Sequence, residues 1–304
     1  MLRIFTPPNS DVMFLIMFRE ITLKNSKDTI LTLATFLVLL VVFYGLGYWL
    51  IYRMGQATPL MLSVGAATLV TCFVRKRKLS TLGWQWGEWK YQWASYLIPL
   101  AIVFTSYLII WMCGLGDFYS VEFLLKQKEN YNLSHWNDLA ILAFHFLLIS
   151  TISFFVSLPS ILGEEVGWRG FLVPELSKIM SFTGVALVSG FVWSLFHWPL
   201  IILGLYGNEV TPLLYQLSVF SIFITATGIT MAYFRMKTNS VWPAVIYHAS
   251  SNIFIQKLFT PLTVPNSHSA WFIDEFGIVI AAVATFVALY YLRKGNSEFG
   301  FVRT

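Results

Sequence analysis

The chain has 304 residues, of which 57% are hydrophobic and only 12% are charged. Soluble domains carry about 25% charged residues, so this composition excludes an ordinary water-soluble domain, a disordered chain and a secreted disulfide scaffold. In such a chain the net charge of +5 reports membrane topology, and we expect no nucleic-acid partner. We therefore predict an all-α polytopic membrane protein, a bundle of about eight transmembrane helices in contact with membrane lipid.

Eight apolar segments approach the length of about 20 residues that a helix needs to cross a bilayer. They lie at roughly 29–52, 58–74, 92–115, 139–162, 184–206, 212–234, 239–256 and 274–292. With the N-terminus in the cytoplasm, sixteen of the 20 Lys and Arg residues fall on the cytoplasmic side. This asymmetry favours eight spans with both termini cytoplasmic. The composition favours a bacterial plasma membrane.

The first polar feature near a span is the run GEEVGWRG at 163–170. On a helix Glu165 and Arg169 are i,i+4 neighbours and can pair, which leaves Glu164 outside that pair. A carboxylate in a dry site can act as a general base. The alternative is a solvated helix start whose acids are favoured by the helix dipole. Pro159 precedes the run, and we expect a kink or break of the helix there.

Histidines mark two further places inside predicted spans. His197 lies in the fifth span, one helical turn after Trp193. His248 and Asn252 lie in the seventh span at i,i+4, so both can donate hydrogen bonds to one point, as an oxyanion requires. The alternatives are a packed, hydrogen-bonded histidine and polar contacts between helices. His145, in the fourth span, has only apolar neighbours on its own helix face, and we expect it to be structural.

Three of these places lie on three separate helices, and together they are more informative than any one of them. A glutamate, a histidine and a histidine–asparagine pair supply a base, a proton carrier and an anion hole. That set is sufficient to activate a water against an amide if the helices converge.

In these motifs the sequence resembles the CPBP family of intramembrane proteases, also called the CAAX-protease and bacteriocin-processing or Abi family. Its Glu-Glu-x-x-x-Arg motif is matched by Glu164, Glu165 and Arg169. Its Phe-x-x-x-His motif is matched with Trp193 in place of Phe, and with His197. Its His-x-x-x-Asn/Asp motif is matched by His248 and Asn252; these matches are the candidate site residues.

The resemblance implies an intramembrane endopeptidase that hydrolyses a peptide bond of a membrane-associated or lipidated protein or peptide. By family analogy Glu164 and His197 activate water, while His248 and Asn252 stabilise the oxyanion. Arg169 orients the acidic motif through Glu165, with Trp193 as a further supporting residue.

The resemblance also divides the chain into three parts. Residues 1–134 hold an N-terminal interfacial segment and three spans. Residues 135–260 are the CPBP-like catalytic core, and residues 261–304 hold the last span and a cytoplasmic tail.

Whether the reaction uses a metal stays open at this stage. The family is often described as metalloproteases, and a zinc site would use Glu164, His197 and His248. The chain has no His-x-x-x-His or His-Glu-x-x-His pair, and asparagine is a poor zinc ligand, so we expect no cofactor. The functional alternative is a non-catalytic membrane scaffold, immunity or regulatory protein of the same fold. A transporter would instead show inverted repeats, which the sequence does not suggest.

Overall fold

The structure is a computed structural model that describes residues 10–54 and 58–300, with side chains from residue 26 onward except at 52 and 54. Two of the predicted cytoplasmic cations, Arg3 and Arg303, lie outside the described residues. The side chains of Arg19 and Lys24, in the predicted interfacial segment, also lie outside them. The backbone of that segment belongs to the first helix.

The described part of the chain is almost entirely helical. Its helices are α1 Ser10–Met54, α2 Thr58–Val74, α3 Trp89–Met112, α4 Val121–Asn130, α5 Asp138–Leu148, α6 Phe154–Glu165, α7 Val173–Ser177, α8 Phe182–Ile202, α9 Leu213–Thr238, α10 Trp242–Phe254, α11 Thr260–Leu262 and α12 Ile278–Phe299. Short 3₁₀ turns lie at Leu79–Leu82 and Ser269–Trp271. Two short strands, β1 Asp117–Phe118 and β2 Thr263–Val264, pair antiparallel.

The all-α membrane bundle is confirmed, but the count of eight spans is not. Within the described residues, six helical segments are long and apolar enough to cross a membrane. They are Ser26–Ile51, Trp89–Met112, Asp138–Ser177, Phe182–Ile202, Leu213–Thr238 and Ile278–Phe299. The predicted second span is the 17-residue helix α2. The predicted seventh span is α10, which has 13 residues and extends only through a wider turn into α11.

The segment 138–177 is helical throughout, so of the predicted kink or break at Pro159 the break does not occur. Pro159 lies inside α6, and the helix is irregular instead on either side of it, in π turns at Ile149–Ser153 and Val166–Leu172. Membrane helices tolerate proline when neighbouring groups and local adjustments satisfy the freed backbone. The second π turn contains Arg169, and it directly follows the paired glutamates.

Glycines bring the motif helices close to their neighbours. A Cβ on Gly65 of α2 would lie 2.5 Å from the carbonyl oxygen of Gly163. A Cβ on Gly228 of α9 would lie 2.9 Å from the Cα of Gly190 in α8. Small residues at such crossings let helix backbones approach in a membrane, where packing drives association. These two contacts hold α6 against α2 and α8 against α9, around the space described next.

Candidate active site

A cavity of about 260 Å³ lies between α2, α6, α8, α9, α10 and the loop before α12. Five of the residues predicted from the sequence line it, and three different helices supply them. They are Glu164, Trp193, His197, His248 and Asn252. Most of the remaining wall is apolar, with Leu60 and Met61 from α2 and Phe220 and Phe223 from α9. The structure therefore brings the separate motifs to one cavity.

Glu165 and Arg169 pair as their spacing predicts. The Nη1 atom of Arg169 donates to both carboxylate oxygens of Glu165 at 2.9 Å, and neither side chain is exposed. Arg235 of α9 stabilises the π turn that contains Arg169, since its Nε donates to the Arg169 carbonyl at 2.7 Å. Glu165 also accepts from Nδ1 of His248 at 2.9 Å. One carboxylate thus fixes both the arginine and the histidine of α10.

Glu164 lies outside the Glu165–Arg169 pair and accepts hydrogen bonds of its own. Its Oε1 accepts from the indole nitrogens of Trp168 at 3.0 Å and Trp193 at 2.6 Å. The side chain is almost fully buried, and its only described donors act on that one oxygen. The two indoles therefore fix the orientation of the carboxylate and leave Oε2 for the cavity.

Trp193 does more than fill the aromatic position of the second motif. Its ring lies under the Arg169 guanidinium, with 4.1 Å from Cζ to the ring centroid. The Nη2 and Nε atoms of Arg169 have no hydrogen-bond partner among the described residues. A cation over an aromatic face is stabilised electrostatically. Phenylalanine could supply that face, but it could not donate to Glu164.

The hydrogen bonds of the two histidines define which ring nitrogen faces the cavity. Nδ1 of His197 lies 3.0 Å from the Trp193 carbonyl oxygen, so Nδ1 must carry the hydrogen. Nδ1 of His248 must likewise donate to the Glu165 carboxylate. In each ring Nε2 has no partner among the described residues. Asn252 is partly exposed, and no described residue forms a hydrogen bond with its amide.

His145 lies elsewhere and has partners for both ring nitrogens. Nδ1 accepts from the Tyr131 hydroxyl at 2.6 Å, and Nε2 donates to the Lys257 carbonyl at 2.8 Å. It does not line the cavity. The structure thus gives His145 the structural role that its apolar helix face predicts.

The proposed zinc ligands do not form a metal site in the structure. Glu164, His197 and His248 line the same cavity, but no three His, Cys, Asp or Glu side chains of the described residues lie together so that they could hold a metal ion. One oxygen of Glu164 is already bound by two indoles. The side chains present do not fit the zinc alternative.

Several residues that line the cavity or contact its lining residues were not found from the sequence. Trp168 stands beside Arg169 in the first motif, and its position four residues after Glu164 was the available signal. Gln256 follows Asn252 by four residues, which was a signal too. Tyr206 and Glu275 come from loops with no local pattern. Burial and the nearby Glu275 raise the pKa of the Tyr206 hydroxyl well above its usual value, so this hydroxyl stays protonated.

Comparison with known families bears on the same part of the chain. Residues 138–254 match the family model described as type II CAAX prenyl endopeptidase Rce1-like. The match covers less than half of the chain, but it begins with α5, ends with α10 and contains all three motifs. No curated protein matches the chain. The resemblance inferred from the motifs is confirmed over this segment.

Proposed function

On the premise that residues 138–254 carry a segment of the CAAX-protease family, we propose that the protein is an intramembrane endopeptidase. It hydrolyses a peptide bond of a membrane-associated protein or peptide, which can be lipidated. The observation that carries the proposal is one cavity shared by Glu164, His197, His248 and Asn252, supplied by three helices that are far apart in sequence.

The nucleophile is a water held between Glu164 and His197. Oε2 of Glu164 is the carboxylate oxygen without an indole donor, and Nε2 of His197 carries a lone pair. Both atoms accept hydrogen bonds from the water. As the water oxygen bonds to the substrate carbonyl carbon, its proton passes to Glu164. The same carboxyl then delivers that proton to the leaving amine as the carbon–nitrogen bond breaks.

The oxyanion formed on the carbonyl oxygen is stabilised by His248 and Asn252. Because Nδ1 of His248 donates to Glu165, Nε2 can donate only from the imidazolium form. The Glu165 carboxylate stabilises that form, as a buried carboxylate does for the histidine of a serine-protease triad. The Asn252 amide supplies the second donor from one turn further along α10.

The proposal includes a metal-free reaction and a defined setting. The hydrolysis needs no cofactor, because a base, a water acceptor and an oxyanion hole are all present as side chains. The protein is an integral membrane protein, and we place both of its termini in the cytoplasm of a bacterial cell. The partners are membrane lipid and the peptide substrate.

Turnover of peptides by the purified protein tests the proposal. Wild type, Glu164→Gln and the control Glu129→Gln are incubated in detergent with a library of lipidated and unlipidated membrane peptides. Glu129 is exposed on α4 and lies outside the cavity. New termini are identified by mass spectrometry, with and without a chelator. We expect Glu164→Gln to lower turnover by roughly 10²–10⁴-fold, while the control and the chelator leave turnover unchanged.

Other outcomes would separate the alternatives. Loss of turnover with chelator and its recovery with added zinc would overturn the metal-free reaction. Turnover that survives Glu164→Gln would overturn the assignment of the base. If wild type cuts no peptide of either kind, the endopeptidase proposal fails in favour of a non-catalytic scaffold, immunity or regulatory role.

A further inference from the structure

A polar stripe on α10 continues beyond the predicted oxyanion pair. His248, Asn252 and Gln256 follow one another at intervals of four residues, and all three line the cavity. The rise of a helix places Gln256 about 12 Å from His248 along the axis. The cavity therefore has a second polar end, distant from the reacting groups.

A buried carboxylate from another part of the chain occupies that second end. Glu275 lies in the loop before α12, is only 7% exposed and lines the cavity. Its Oε1 accepts from Nε2 of Gln256 at 2.6 Å. No other side chain among the described residues donates to it, and the ion pairs within that part of the chain do not include it.

Such a carboxylate is costly for the fold alone. Burying an acidic group without a cationic partner is unfavourable, and buried charges in proteins are normally paired. The Glu275 carboxylate also accepts a hydrogen bond from its own backbone nitrogen. The neighbouring Asp274 accepts from the Phe276 backbone nitrogen at 2.7 Å and does not line the cavity. Of these two acids, Glu275 is therefore the one that faces the space proposed to receive the substrate, and no cation of the described residues pairs with it.

We infer that Gln256 and Glu275 form a substrate subsite that receives a cationic side chain, Lys or Arg, of the peptide. The inference rests on the proposed endopeptidase function and adds a specificity to it. An extended peptide advances about 3.3 Å per residue, so a separation of about 12 Å places this side chain three to four residues from the scissile bond. A carboxylate at the same position is disfavoured by like charge.

The test uses matched peptides that differ at one position. Lys, norleucine or Glu is placed in turn at each of the four residues on either side of the cut, and kcat/KM is measured for wild type, Glu275→Gln and Asp274→Asn. Glutamine at position 275 keeps an acceptor oxygen for Gln256. Asparagine at position 274 replaces the neighbouring carboxyl group without changing the residues that line the cavity. Thermal unfolding in detergent verifies that each variant folds.

We expect one position, three or four residues from the cut, at which Lys is favoured over norleucine by about tenfold or more. The preference should disappear in Glu275→Gln and persist in Asp274→Asn. If the peptides are cut but no position favours Lys, the subsite is wrong while the endopeptidase stands.

Direct binding decides the inference even where cleavage is absent. Equilibrium binding of the Lys and norleucine peptides is measured with wild type and Glu275→Gln. A tenfold tighter binding of the Lys peptide that is lost in Glu275→Gln supports the subsite. Equal binding of the two peptides to wild type overturns it, whatever the result for the proposed activity.

Discussion

Two regions of the helical bundle contain buried or half-buried histidines, whose hydrogen bonds differ. Between α4, α5 and the turn after α10, His145 uses both ring nitrogens, one with Tyr131 and one with Lys257. In the cavity, His197 and His248 each use one nitrogen, and Nε2 has no partner among the described residues. A polar side chain whose donors and acceptors all have hydrogen-bond partners within the protein supports the fold. A side chain with a donor or acceptor that has no such partner can form a hydrogen bond with a bound molecule.

The same distinction applies to the carboxylates. Glu165 has Arg169 and His248 as partners, so both of its oxygens are occupied within the fold. Glu164 has both of its donors on one oxygen. Two adjacent glutamates thus differ in their hydrogen bonds: both oxygens of Glu165 have partners, whereas Oε2 of Glu164 has none among the described residues.

Replacement of the two cavity histidines gives the largest expected effect. We expect His197→Ala and His248→Ala each to lower kcat by roughly 10²–10⁴-fold, because in the proposed reaction His197 holds the water and His248 stabilises the oxyanion. The measurement is kcat on the best peptide found for wild type. The matched control is His135→Ala, since His135 is exposed and outside the cavity. Near-wild-type turnover in both cavity variants would contradict the functional difference proposed between the cavity histidines and His145.

Replacement of the Trp193 indole should have the next largest effect on kcat. Trp193→Phe keeps a ring beneath Arg169 but removes the donor to Glu164. A hydrogen bond to a charged group contributes about 1.5–3 kcal/mol, so we expect kcat to fall by roughly 10–100-fold with little change in KM.

The control for that change is Trp198→Phe. Trp198 is on the same helix, but its indole donates to Ser221 at 3.0 Å and does not line the cavity. We expect no change in kcat for it. An equal loss in both variants would mean that Trp193 acts on helix packing and not on the carboxylate.

His145 should affect stability without affecting chemistry. His145→Phe leaves the Tyr131 hydroxyl and the Lys257 carbonyl without their partner. We expect a destabilisation of about 1–3 kcal/mol, measured by unfolding in detergent. The kcat of the folded fraction should match wild type. A loss of kcat as large as that of His197→Ala would contradict the division between the two regions.

Replacement of Asp274 should change how stability depends on pH. Burial and the neighbouring Glu275 raise the pKa of Asp274 from 3.8 to about 7. In the unfolded chain the group is ionised above its ordinary pKa of about 3.9, so the raised value makes the fold less stable as pH rises from about 4 to 7. Below this window the group is protonated in both states and contributes nothing.

The variant Asp274→Asn should remove this dependence. The difference in stability between variant and wild type should move in favour of the variant by at most about 1.4 kcal/mol per pH unit across that window. Melting temperatures in detergent between pH 4 and pH 8 measure it. If the difference in stability between Asp274→Asn and wild type does not vary with pH, the pKa of Asp274 is not raised in the folded protein.

The sequence predicted the membrane bundle, the pairing of Glu165 with Arg169 and, through its three motifs, five of the residues that line the cavity. It did so because bilayer length, i,i+4 spacing and motif order are local properties. It did not predict the number of helices long enough to span, since α2 and α10 are apolar but short. It also left open whether the helix kinks or breaks at Pro159, because neighbouring elements decide whether a helix continues past a proline.

The sequence by itself determined which side chains are chemically able to act, and on which helices they lie. Only the tertiary structure decided which of these side chains keep a polar atom without a hydrogen-bond partner among the described residues. Trp193 reaches Glu164 across 29 positions of sequence, and Gln256 reaches Glu275 from a separate helix. Hydrogen bonds between distant segments have no periodic signature, because they depend on how helices pack and not on the spacing within any one of them.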